Sequence, residues 1–278
     1  MYNIADLHIH SNFSDGSMEP RQIIDTAKKL RIAAVSITDH DTLKGQEETL
    51  FYGEKYGIHT IVGVEITAFS QELNRKIHIL GYGIKNMKMV EDCLTHFLKS
   101  RNEASKKRIE IIQRNGYPID IYEVKKYLKN GDVIYKQHIM HALVDRGYAT
   151  TIYGELYEKL FGKYGIAVVE SDYVDVYDAI RLVKEAGGNA VLAHPFMYDS
   201  MPILGELIQN KLDGIECYHP TADEKRRQII MQHAEQNNLF ITGGSDFHGF
   251  YNAYSCRLGS KNNCLPYQDV FLNYIDVK

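Results

Sequence analysis

Ile4-Ala5-Asp6-Leu7-His8-Ile9-His10 is an apolar run with two imidazoles at i and i+2. On a β-strand that spacing turns both rings to one face. The same theme recurs along the chain. Six of the twelve histidines and three carboxylates sit at or just past the C-terminal ends of runs that read as strands. His-x-His followed by further His, Asp and Glu at later strand ends is the layout of a metal site on a barrel rim.

Seven strands are predicted: Ile4 to His10, Ala33 to Thr38, Thr60 to Thr67, Lys76 to Tyr82, Ala190 to Ala193, Gly214 to Tyr218 and Leu239 to Thr242. Helical patterns lie between most of them. Pro20 to Leu30 starts on Pro and places Ile23, Ile24, Ala27 and Leu30 at helical spacing. Leu43 to Tyr56 stops at Gly57, Val176 to Ala186 stops at Gly187-Gly188, and Ala222 to Asn237 is polar on one side. The alternation predicts an α/β fold, a parallel sheet with helices outside it. It breaks over residues 86–175, where Met87 to Gln113, Ile121 to Leu128, Tyr135 to Asp145 and Ile152 to Phe161 all read as helix. Asp120 with Glu123 forms a capping-box pattern, and Gly147 marks a helix end. The expected organisation is a barrel domain of residues 1–85 and 176–278 with a helical subdomain of residues 86–175 inserted between strands four and five.

The chemistry sits at the strand ends. Strand one brings His8 and His10, and the loop after it brings Asp15 in Ser14-Asp15-Gly16. Strand two ends Thr38-Asp39-His40-Asp41, and strand three's Gly63-Val64-Glu65 carries an acid. Strand four contains His78, strand five ends Ala193-His194-Pro195, and strand seven leads into Ser245-Asp246-Phe247-His248. Strand six offers only Glu216 and His219. Singly, each has a bland reading: a core histidine, a turn at Asp15-Gly16, a helix cap at Asp39 or Asp41. Jointly they do not, because strand after strand delivers a ligand type to one end. Imidazole mixed with carboxylate and no thiolate suits Mn, Fe or Zn. Nine ligands exceed the three or four of one tetrahedral ion, so two or three ions are expected, with Glu65 suited to bridge. Clustered divalent ions of this kind serve phosphoester hydrolysis. Asp6, on the same face by alternation, either holds a ligand ring or makes a plain buried hydrogen bond.

In the inserted helix, Val90, Leu94, Phe97, Arg101, Ala104, Arg108 and Ile112 form one stripe. Its two arginines either face the metal site, where guanidinium binds phosphate bidentately, or snorkel to water. His138 and His141 share a face of another inserted helix; His138 is the candidate substrate contact and His141 the structural one.

Composition sets the outer bounds. The chain has 278 residues, 44% hydrophobic and 24% charged, enough for a full core in an ordinary globular protein. A net charge of −4 argues against nonspecific binding to long nucleic acids. Cys93, Cys217, Cys256 and Cys264 form no C-x-x-C pair. Met1-Tyr2-Asn3 runs straight into strand one, leaving no room for a signal peptide, and no apolar run is long enough to span a membrane. Reduced thiols and a cytoplasmic location are the expectation.

Taken in order, His8-x-His10, Ser14-Asp15-Gly16, Thr38-Asp39-His40-Asp41, Gly63-Val64-Glu65, His78-Ile79-Leu80-Gly81, His194-Pro195 and Gly244-Ser245-Asp246-Phe247-His248 resemble the PHP (polymerase and histidinol phosphatase) superfamily, in its branch of small phosphoesterases with a helical insertion. The resemblance spans the whole chain. It implies a distorted (β/α)7 barrel with a trinuclear metal centre, commonly manganese. It also implies three ligand sets: His8, His10, Glu65 and Asp246; Glu65, His78 and His194; Asp15, His40 and His248. Glu65 and Asp246 would be the catalytic residues. Implied substrates are small nucleotides of the 3',5'-bisphosphonucleotide type or the 5' ends of short oligonucleotides, with no membrane and no obligate protein partner. Where such proteins usually carry Arg-Pro-His in the insertion, this chain has Lys136-Gln137-His138. A point charge there replaces a planar fork, and Arg101, Lys136 and His138 become the candidate substrate contacts. The competing readings are a histidinol-phosphate phosphatase, a barrel amidohydrolase and a non-catalytic metal-binding module.

Overall fold

The structure is a computed structural model that describes residues 4–253, 256–260 and 264–266; Met1-Tyr2-Asn3, which carried the reading of the N-terminus, lies outside them. In chain order the first half holds β1 (Ile4–Ile9), α1 (Pro20–Leu30), β2 (Ala34–Ile37), α2 (Gln46–Tyr56), β3 (His59–Thr60), β4 (Gly63–Ser70) and β5 (Arg75–Tyr82). The helices α3 (Met87–Arg114), α4 (Ile121–Lys125), α5 (Lys136–Asp145) and α6 (Glu155–Phe161) follow. The chain then returns through β6 (Val174–Asp175), α7 (Val176–Glu185), β7 (Asn189–Leu192), α8 (Leu204–Gln209), β8 (Gly214–Tyr218), α9 (Glu224–Asn237), β9 (Phe240–Gly243) and β10 (Leu265–Pro266).

Two sheets, β10-β1-β2-β3 and β6-β4-β5-β7-β8-β9, join at both edges. On one side Ile9 bridges Phe247, and Asp246 N–H donates to the His8 carbonyl at 2.9 Å. On the other, His40 bridges Glu65, and Asp41 N–H donates to the Glu65 carbonyl at 2.9 Å. These bridges close β1, β2, β4, β5, β7, β8 and β9 into a distorted seven-stranded barrel. Both joints are made by the backbone of expected metal ligands.

Of the seven barrel strands one departs from the all-parallel expectation, and the short β10 adds an antiparallel edge to β1. β5 runs antiparallel to β4 and to β7, with Thr67 opposite His78 and Ile79 opposite Leu192. The loop 71–74 is too short for the crossover a parallel neighbour needs. His78 therefore reaches the rim from the N-terminal half of its strand. The run Thr60 to Thr67 also splits, into the short edge strand β3 and the barrel strand β4. Helix limits move by a few residues: α2 begins at Gln46, α4 ends at Lys125, α6 begins at Glu155, α9 begins at Glu224, and α8 was not expected.

Local chemistry explains the elements that hold the rim. Pro20 opens α1 beneath a Glu19–Gln22 capping box, and Ile23, Ile24 and Ala27 pack inward while Leu30 is 52% exposed. Inside the barrel Ala5, Leu7, Leu80, Tyr82, Val191 and Phe240 form one apolar cluster. The buried Tyr82 hydroxyl donates across it to the Leu7 carbonyl at 2.8 Å. In β1 the register against β2 slips between Asp6 and Ile9. One extra residue there reverses the inside–outside alternation. Leu7 accordingly faces the interior, whereas Ile9 packs under α1 with Ile23, Val35 and Ile37. Helices α3–α6 add a separate apolar cluster including Ile109, Ile112, Ile139, Leu143 and Phe161. α3 links the two cores, since its Val90 and Leu94 pack on the barrel side. Val174 pairs with Ala68, so the chain rejoins the barrel sheet just before α7.

Candidate metal centre

The barrel rim gathers all nine residues singled out above. Glu65, 1% exposed, is the hub. Its Oε2 lies 3.2 Å from His8 Nε2, 3.1 Å from His10 Nε2 and 3.2 Å from His40 Nδ1. Its Oε1 lies 2.7 Å from His78 Nδ1 and 2.9 Å from His194 Nε2. Asp246 Oδ1 sits 3.5, 3.3 and 3.6 Å from His8, His10 and His248. Asp15 sits 3.5 Å from His10, 3.4 Å from His248 and 3.9 Å from His40. Ligand-capable atoms group as His10, Asp15, His40 and His248; His8, His10 and Asp246; His8, Glu65 and His194; and His40, Glu65 and His78. The boundaries differ in detail from the three expected sets, because His8, His10 and His40 each stand between groups.

These residues fit divalent ions. His8 Nε2, both His10 ring nitrogens, His40 Nδ1 and His194 Nδ1 are buried without a hydrogen-bond partner, which protein interiors rarely tolerate. A neutral imidazole lone pair and a carboxylate oxygen at 3.1–3.2 Å need a proton or a cation between them. Electrostatics agrees. Burial alone would raise Glu65, but His78, His8 and His40 hold it well below the usual carboxylate range. Burial opposes charge on His10, yet Asp246 and Glu65 raise it to about 10. Burial pushes His40 down to about 3 despite Glu65 and Asp15, leaving a neutral ligand.

Backbone strain marks the same place. His194 at φ 24°, Asp246 at φ 52° and Asp41 at φ 59° all lie in the left-handed region, a cost that persists where surrounding structure enforces it. Gly244 runs so close to β1 that a Cβ would lie 2.3 Å from the His8 Cβ; only glycine lets the two strand ends meet.

Asp6 does not share the face of His8 and His10. The register slip turns its carboxylate away from the rings, to the Ser245 hydroxyl at 2.6 Å and the N–H groups of Ser245 and Gly259. The ring-orienting role falls to Glu216. It meets His8 Nδ1 at 2.9 Å and accepts the His194 N–H at 2.8 Å, the carboxylate–histidine arrangement that fixes a ligand's tautomer. Asp39 takes the Ser11 and Ser14 hydroxyls, each at 2.6 Å, and so pins the loop bearing Asp15.

Beside the cluster opens a cavity of about 160 Å³ whose wall carries Lys76, Arg101, Arg108 and Lys136, with Ser105, Ser171 and Tyr173. It shares Asp15, His40, His78, Gln137, Tyr157 and Tyr198 with a cavity of about 180 Å³ directly over the nine-residue cluster. Arg101 and Arg108 thus face the site and do not snorkel to water. Arg101 is committed in part to Asp41, at 2.5 Å, and to Thr67. His138 lies elsewhere: it is 1% exposed, borders neither cavity, and its Nδ1 accepts the Tyr135 N–H. Its helix presents Lys136 and Gln137 instead, and Gln137 donates to Asp15 Oδ2 at 2.8 Å. His141 meets the Tyr251 hydroxyl and stacks on Tyr127. Sequence alone did not single out Lys76, a lone cation two residues before His78, or Tyr173, which stands apart from every ligand motif; only the fold brings them to one cavity wall.

Comparison with known proteins places the chain. The PHP domain profile matches residues 6–192. A phosphoribosyl 1,2-cyclic phosphate 1,2-diphosphodiesterase of Eggerthella lenta is 36% identical over 88% of this chain and 94% of its own length. A 5'-3' exoribonuclease of Haemophilus influenzae is 29% identical over 87% of this chain and 89% of its own. A crystal structure from Bifidobacterium adolescentis, assigned to the metal-dependent phosphoesterases, superposes with a TM-score of 0.86 at 28% identity, covering 97% of this chain and 94% of that one. Fold and site are those of a metal-dependent phosphoesterase. The chain belongs to the PHP domain family. Among the described residues no helix is long and apolar enough to cross a membrane.

Proposed function

We propose that this phosphoesterase uses two or three divalent ions, manganese foremost, and hydrolyses small nucleotides that carry a second phosphate, the 3',5'-bisphosphonucleotide type or the 5' end of a short oligonucleotide. The observation that carries this reading is the cavity lined by Lys76, Arg101, Arg108 and Lys136, which opens next to the nine-residue cluster. One phosphate sits over the cluster; the other enters the cationic cavity. The relatives named for a cyclic sugar phosphate and for RNA ends support a phosphoester at the reacting position.

His8, His10, Asp15, His40, Glu65, His78, His194, Asp246 and His248 would hold the ions, which when bound supply an acidified water and neutralise charge on the attacking and leaving oxygens. Glu216 fixes the His8 ring, and Gln137 steadies Asp15. Lys136 and Arg108 bind the phosphate that does not react and so set the register of the one that does. A panel of phosphoesters decides the matter. The manganese-loaded protein is expected to prefer a bisphosphonucleotide over the matching monophosphate by at least about tenfold in kcat/KM, the worth of one charge-assisted contact. A chelator abolishes turnover and manganese restores it. Loaded protein inert toward the whole panel would sink the proposal.

Lys136 gives the site a pH signature. Burial lowers its ammonium to about 8, and Lys76, Arg108 and Arg101 add to the effect while Glu158 opposes it. The charged form, which binds phosphate, is lost as pH rises through that value. kcat/KM, which reports the free enzyme, is therefore expected to fall about tenfold between pH 7 and 9.5 on the bisphosphonucleotide. In Lys136→Arg this limb disappears, since guanidinium stays charged. An unchanged alkaline limb in that variant would assign it to another group.

A further inference from the structure

We infer that His219 is a positioning residue that fixes one oxygen of Asp246 by donating from Nε2, and that it is not itself a metal ligand. His219 follows β8 and is fully buried. Its Nδ1 receives the Thr221 backbone N–H at 3.2 Å and lies 2.8 Å from the Thr221 hydroxyl. A backbone N–H only donates, so Nδ1 is the acceptor nitrogen. The neutral ring then carries its proton on Nε2, and an imidazolium, with a proton on each nitrogen, does not fit this turn. Nε2 lies 3.3 Å from Asp246 Oδ2.

The two oxygens of Asp246 are thereby divided. Oδ2 is turned to His219, and Oδ1 faces His8, His10 and His248. His8, Glu216 and His219 do sit close enough to resemble a ligand group, but both nitrogens of His219 already have work that excludes coordination. A carboxylate on a left-handed residue at φ 52° gains from such an anchor, because a bond to one oxygen fixes the direction in which the other faces the cluster. The inference rests on the phosphoesterase reading only in taking Asp246 as a ligand.

Nitrogen-15 NMR of the histidine rings, on the full chain with and without Zn²⁺ as a diamagnetic probe, tests the tautomer directly. The His219 ring is identified by its loss in His219→Gln. Nε2 is expected to be protonated and Nδ1 bare in both states. Loss of the Nε2 proton on adding Zn²⁺ makes His219 a ligand, and an imidazolium signal removes the donor–acceptor argument; either overturns the inference. Binding adds a second reading. His219→Leu is expected to weaken Zn²⁺ affinity by roughly ten- to a hundredfold, with the metal-free melting temperature little changed. His219→Gln, whose amide can donate to Oδ2, restores most of that affinity. Equal affinity in His219→Leu and the wild type would also overturn it. If His219→Leu does not fold, the wild-type spectrum still decides. A protein inert toward phosphoesters would leave the tautomer result standing, so the two failures are distinguishable.

Discussion

Glu65→Gln is expected to remove activity by a factor on the order of 10³ or more, about 4 kcal/mol in the barrier, and to lower the metal content of the purified protein. The reason is the hub geometry. Two oxygens of one carboxylate meet five imidazoles at 2.7 to 3.2 Å. No other acid among the nine reaches both the His78–His194 side and the His8–His10–His40 side. An amide keeps the shape but loses the charge, and its NH₂ points a donor where cations belong. The same change strips His8 and His10 of an acid that raises them in the metal-free state. Elemental analysis after gel filtration and kcat at saturating manganese check this. Full metal content with kcat within tenfold of wild type would show that Glu65 does not bridge.

Why was this hub visible in the sequence while its supports were not? Strand-end ligands announce themselves, since imidazoles and acids beside Val, Ile and Leu have few other reasons to recur at such spacing. The seven ring strands were legible as short apolar runs, most of them set off by helical patterns. The direction of β5 was hidden because its apolar residues alternate identically either way; only the short loop 71–74 carried the signal. Asp6 was misplaced because strict alternation holds only in an unbroken register, and the slip between Asp6 and Ile9 leaves no mark in composition. Glu216 looked like one acid on an apolar strand, and nothing local joins it to His8, 208 positions away. The cationic cavity draws Lys76 from β5, Arg101 and Arg108 from α3, and Lys136 from α5, so it exists only once these three elements pack together.

Arg101→Met is expected to lower stability by about 3 kcal/mol, the cost of leaving a buried charge without its partner, and the melting temperature by on the order of 5–10 °C. On the helical stripe Arg101 and Arg108 look equivalent, one to each two turns of α3. Their surroundings separate them. Arg108 donates to the Ser105 hydroxyl and the Val169 carbonyl, both neutral. Arg101 donates to Asp41 and Thr67, and Asp41, 2% exposed, also accepts the Thr67 N–H at 2.7 Å. Asp41 directly follows His40 in a left-handed turn, so the ion pair ties α3 to the strand end that carries His40. Removing the guanidinium strands a carboxylate there and loosens His40; removing Arg108 mainly empties one side of the phosphate cavity. Arg108→Met should therefore raise KM with little change in melting temperature, while Arg101→Met lowers the melting temperature and kcat together. The double variant Asp41→Asn with Arg101→Met should recover part of the lost stability, because it deletes both charges of a coupled pair. Thermal melts on the two single variants and the double one, read beside KM, make the distinction. Were Arg101→Met to shift KM alone, Arg101 would be a substrate contact like Arg108, and the tie between the insertion and the His40 turn would have to be sought in Tyr135, whose hydroxyl donates to the His40 carbonyl at 3.1 Å.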